Sequence, residues 1–100
     1  MKTRIEEMEG KIIATLEGEL DTAAAMEVEK ELHPLYENKG RDIVIECGKL
    51  EYIASSGLRI LLGILKSTKA GGNKVTLRNM NDDIKNVFKM TGLINLFDIE

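Results

Sequence analysis

Two adjacent hydroxyls, Ser55 and Ser56, stand directly before Gly57 and the apolar run that opens at Leu58. Two kinds of chemistry are open to such a pair at the start of a helix. A serine oxygen can accept from a first-turn amide and cap the helix, while Gly57 lets the backbone turn closely. The same geometry can also offer a hydroxyl to a partner's active site, and a phosphoryl group placed there would meet unpaired amides and a favourable dipole. On that second possibility Ser56 is the candidate phosphorylation site. A nucleophilic serine would need a general base, but the one histidine, His33, precedes Pro34 in a helical stretch, and no Gly-x-Ser-x-Gly elbow occurs. No catalytic residue is therefore expected, and the chain does not read as an enzyme. Gly71-Gly72-Asn73-Lys74 lacks the spacing and trailing hydroxyl of a phosphate-binding loop and reads as a plain turn. Asp21 is open between an N-cap or loop acid and a share in a partner or nucleotide surface. Cys47 closes an apolar stretch and reads as a buried, inert thiol. A single cysteine makes no internal disulfide, and without a CxxC or a His/Cys cluster neither a metal nor a cofactor is expected. The five methionines share no helical stripe, so core filling is their default role.

The elements that must position these residues follow from periodicity. Residues Thr3 to Met8 and Lys11 to Glu17, parted by Glu9-Gly10, form a hairpin in which Ile12, Ala14 and Leu16 alternate with their neighbours. From Asp21 or Thr22, either of which can serve as N-cap, Ala25, Val28, Leu32, Leu35 and Tyr36 take helical spacing. Gly40 stops this helix after Asn38, and Pro34 kinks it. Asp42 to Cys47 reads as a central parallel strand, residues 48 to 55 as a connection, and Ser56 onward as the most buried helix, ended by Gly71-Gly72. Lys74 to Arg78 gives a short strand. Asn81 caps a third helix with Asp82 and Asp83 in its first turn, Gly92 ends it, and an apolar tail packs back as a short helix or edge strand. The expected fold is one α/β domain over residues 1 to 100: a mixed sheet with an N-terminal hairpin and helices packed on it. Strand ends that run into helices direct attention to the loops around Asp21 and Ser55-Ser56.

Composition narrows the partners. Among 100 residues, 43% hydrophobic and 31% charged, the net charge of −3 comes from scattered charges of both signs. No basic block is present to neutralise a row of phosphates, so nucleic acid is not an expected partner. The most apolar run, Ile60 to Leu65, lies between Arg59 and Lys66 and is too short to cross a bilayer, and the polar N-terminus is not a signal peptide. No membrane partner is expected, and the cytoplasm is the expected compartment.

Ile45-Glu46-Cys47-Gly48 and Tyr52-Ile53-Ala54-Ser55-Ser56-Gly57-Leu58-Arg59, with Leu20-Asp21 upstream and Val87-Phe88-Lys89-Met90-Thr91-Gly92-Leu93 downstream, resemble the STAS domain. That module is shared by sulfate transporters and anti-sigma factor antagonists, and a stand-alone domain of this size most resembles the bacterial antagonists. The resemblance implies a switch. The unmodified protein binds an anti-sigma factor that is itself a serine kinase and frees a sigma factor; phosphorylation at the second motif hydroxyl, Ser56, ends the binding, and a serine phosphatase restores it. It also implies a partner surface containing Asp21, with Thr22, Ser55, Ser56, Gly57 and Arg59 around it. Many members carry Asp directly before the two hydroxyls, where this chain has Ala54. Ala54→Asp is therefore expected to speed phosphorylation with little effect on stability. The rival roles are a constitutive interaction subunit of a lipid-transport or signalling assembly, in which Ser56 is only a cap, and a small-ligand binder with a pocket near Asp21 and Ser56.

Overall fold

A computed structural model describes residues 1–37 and 40–100; Asn38, where the sequence ends the first helix, lies outside them. In chain order the elements are β1 (Lys2–Met8), β2 (Lys11–Leu20), α1 (Thr22–Glu31), a 3-10 segment (His33–Glu37), β3 (Ile43–Ile53) and α2 (Ser55–Ala70). They continue as β4 (Val75–Arg78), α3 (Asp82–Met90), a second 3-10 segment (Leu93–Asn95) and β5 (Asp98–Ile99). The hairpin turns where expected. Glu9 and Gly10 both take positive φ, 53° and 77°, the pair of conformations a two-residue turn with the twist of its strands needs, and Met8 faces Lys11 across it.

The five strands lie in sequence order, with β1 antiparallel to β2 and every later pair parallel. The sheet is mixed, as expected. Parallel pairing puts the carboxyl ends of β2 to β5 at one end of the molecule, the end at which α1, α2 and α3 begin. Inward side chains of the strands, such as Ile12, Ala14, Ile43, Ile45 and Leu77, join Val28, Leu61, Ile64, Ile84 and Phe88 of the helices in one buried cluster. Phe97 closes its edge, meeting Phe88 edge-on with ring centroids 5.7 Å apart, so the apolar tail supplies both a 3-10 turn and an edge strand.

Two expectations need correction. The first helix is not kinked at Pro34 but ends before it. The Leu32 amide caps α1 by donating to the Val28 carbonyl at 2.8 Å, and the chain continues as the 3-10 segment that holds Pro34. A proline ring strains the residue before it and cannot supply the next helical donor. Residues 48 to 53 are not a connection but the second half of β3. Between Glu46 and Tyr52, β3 spends two more residues than β2 does between Thr15 and Glu19, so the pairing contains two bulges. Cys47, Leu50 and Ile53 are buried at intervals of three, which is why the alternation of a strand is missing from the sequence there.

Candidate functional site

The loops singled out in the sequence meet at the carboxyl ends of β2 and β3. Leu20 is paired with Ile53, and the Ala54 amide donates to the Leu20 carbonyl at 2.9 Å, so the strands leave the sheet side by side into α1 and α2. Asp21 sits at the N-cap of α1, where its Oδ1 accepts from the Ala24 amide at 2.9 Å. Thr22, the first residue of α1, is exposed.

Gly57 explains why α2 can begin so close to the sheet. A Cβ there would stand 2.6 Å from Leu20 Cγ and 2.9 Å from Ile53 Cγ1, both in side chains locked in the core. Any side chain would push the first turn of α2 off the two strand ends.

The start of α2 differs from those of the other two helices. Asn81 Oδ1 accepts from Ile84 N at 2.8 Å, as Asp21 caps α1, but the N-cap of α2 is Ala54, and no side chain caps this end. Neither serine is a cap, because both already lie within the helix. They differ in surroundings. Ser55 is exposed, whereas Ser56 is half-buried and its Oγ is closed off from solvent with no hydrogen-bond partner. Ser56 borders a groove between α1 and α2, with Ala25, Met26, Glu29, Arg59 and Ile60, but its oxygen is not exposed there. Arg59 is exposed, one helical turn beyond Ser55. Asp21, Thr22, Ser55, Gly57 and Arg59 are thus brought to one end of the molecule, with the Ser56 oxygen turned inward.

Sequence reasoning missed residues on the rim. Glu19 and Glu51 join Asp21 and Met1 in a shallow recess, and Tyr52, paired with Glu19, stands half exposed. The aromatic lay within the recognised motif, but with residues 48 to 53 taken for a connection nothing marked which way it points.

The other titratable cluster joins β3 to the last residue of β4. Glu46 of β3 accepts from Arg78 Nε at 2.7 Å, Asn79 Nδ2 at 3.1 Å and the Gly48 amide at 2.9 Å. Burial alone would raise its carboxyl; these bonds outweigh it and hold the pKa below the ordinary glutamate value. Burial, helped by Glu46, pushes the Cys47 thiol up to about 12, so it stays protonated and unreactive. Among the described residues no group of three or more His, Cys, Asp or Glu side chains could hold a metal, and no helix is long and apolar enough to cross a membrane.

Comparison with known proteins matches residues 2–100 to the STAS domain family. An anti-sigma-B factor antagonist of Bacillus subtilis is 30% identical over 95 residues, which span 95% of this chain and 86% of the relative. An anti-sigma factor antagonist from Mycobacterium paratuberculosis superposes with a TM-score of 0.82 at 24% identity, covering 98% of this chain and 83% of that one. The Bacillus cell fate determinant SpoIIAA, in its phosphorylated form, superposes with a TM-score of 0.74 at 21% identity, over 99% of this chain and 91% of that one.

Proposed function

The chain belongs to the STAS domain family, among its anti-sigma factor antagonists, and from that premise we propose that its unmodified form binds a serine-kinase anti-sigma factor and frees a sigma factor. Phosphorylation in the Ser55-Ser56 pair ends the contact, and a serine phosphatase restores it. The observation that carries this reading is the uncapped start of α2, where an exposed hydroxyl stands beside the Asp21 loop and no side chain occupies the first-turn amides. A phosphoryl group there meets the positive end of a 16-residue helix and, one turn on, the Arg59 guanidinium. That a protein of the same fold has been solved phosphorylated agrees with this use of the fold.

The switch has a physical cause at the contact. In a kinase the acceptor oxygen must face the terminal phosphate of the bound nucleotide. After transfer, a group carrying roughly −1.5 to −2 charges lies against the remaining diphosphate, and like charges pressed together in a desolvated interface drive the two proteins apart.

Exposure favours Ser55 as the acceptor rather than the Ser56 expected from sequence, because the buried Ser56 oxygen would first have to rotate out to solvent. Mass spectrometry of chains treated with the kinase tests this. Ser55→Ala should lose the modification and Ser56→Ala keep it; the reverse pattern returns the role to Ser56.

A further inference from the structure

We infer that Tyr52 and Met26 are the apolar anchors of the partner contact, and that the partner receives them in recesses set within a basic surface. This rests on the reading of this end as the anti-sigma factor site, and it names residues and a partner chemistry beyond that reading.

The first ground is where exposed apolar side chains lie. Tyr52, next to last in β3, is 50% exposed although Ile53 beside it is buried, and Met26, one turn into α1, is 73% exposed. Both stand at the carboxyl end of the parallel strands, flanking the Asp21 and Ser55 loops. Of the other exposed apolar side chains, Met8 and Met90 fall at the opposite end, beside the hairpin turn and at the close of α3; Met1 lies in the recess with Asp21, and Leu96 and Ile99 belong to the tail and the edge strand β5, two strands away from β3. A half-exposed tyrosine and an exposed methionine on either side of one site are residue types enriched in interfaces, the tyrosine because its ring buries much area at small entropic cost and the methionine because its flexible thioether adapts to the partner surface.

The second ground is charge. Glu19, Asp21 and Glu51 line the recess on one side of the site, and Glu29 lines the groove that holds Met26. Against these four carboxylates the same two hollows contain two cationic groups, the Arg59 guanidinium and the Met1 amino group, which leaves the rim acidic on balance. Such a rim attracts lysines and arginines and repels an acidic surface. The basic residues of the partner meet this rim, apart from the nucleotide phosphates that face Ser55.

The probe is the anti-sigma factor that co-purifies with the wild-type chain from its native cells, then produced recombinantly and titrated against purified variants at about 50 mM and 300 mM salt. Tyr52→Ala should weaken binding about tenfold or more and Met26→Ala about threefold. Tyr52→Phe, which keeps the ring, should fall between Tyr52→Ala and the wild type, and Met90→Ala serves as an equally exposed control that stays within about twofold. The Glu19→Gln/Glu51→Gln pair should bind with a flatter salt dependence than wild type. Wild-type affinity for both alanine variants, with the phosphorylated chain still failing to bind, would overturn the anchors and leave the parent reading standing. If no anti-sigma factor binds the wild-type chain at all, both fall together. Thermal melts of each variant separate a lost contact from a lost fold.

Discussion

The Ser56 hydroxyl is closed off from bulk solvent with no protein group to bond, a placement that costs a folded protein about 1–3 kcal/mol. Ser56→Ala removes that cost and leaves only a small void, so its melting temperature should equal or exceed that of the wild type; a clear fall would mean the oxygen has a partner in solution. Gly57→Ala should do the opposite. The added methyl gains roughly 0.5–1 kcal/mol of helix propensity, but overpacking against Leu20 and Ile53 costs about 1–3 kcal/mol. A lower melting temperature is expected, and a higher one would show that the first turn of α2 can lift from the strand ends freely.

At the scale of elements, α2 is the helix whose start was left without a side-chain cap, although Ala54 already has the extended backbone of an N-cap, with φ −90° and ψ 171°. Aspartate there can accept from the Gly57 amide as Asp21 accepts from Ala24. Ala54→Asp should therefore stabilise the domain by about 1 kcal/mol and raise its melting temperature by roughly 4–8 °C, against the sequence expectation of little change for a loop position. An unchanged melt would show that the first turn cannot use the cap. Much of this arrangement follows from rules of local chemistry that the sequence displays: the hairpin turn, a cap at Asp21 or Thr22 that the structure assigns to Asp21, the Asn81 cap, and an apolar stripe of Leu58, Leu61, Leu62 and Leu65 of which Leu62 is only half-buried. What was hidden depends on tertiary geometry. Two bulges erased the alternation of β3 after Glu46, and Pro34 permitted a 3-10 continuation where the helical spacing of Leu35 and Tyr36 suggested more α-helix. The inward turn of Ser56 rests on where α1 packs, which no spacing along the chain reports.

Across the whole molecule, the Glu46 and Arg78 pair ties β3 to β4, and its effect on stability has a definite sign. Because the folded carboxyl titrates below its unfolded value of about 4.3, the stability it adds is complete above that pH and is lost as pH falls through the lower, folded value. Glu46→Gln should flatten the acid side of the stability curve and leave its shape at neutral pH unchanged; an identical acid slope would mean the pair contributes nothing. The core lies beneath α2 and away from Ser55, so phosphorylation should change amide exchange only in the first turn of α2 and the Asp21 loop. Protection changes reaching Val75 to Arg78 would indicate a conformational mechanism instead of a blocked surface. The most direct test of the switch is a titration of the anti-sigma factor with the chain in both states, unmodified and phosphorylated in the Ser55-Ser56 pair. Repulsion of several kcal/mol at the contact predicts affinity lower by on the order of 100-fold for the phosphorylated form, whereas equal affinity of the two forms would contradict it.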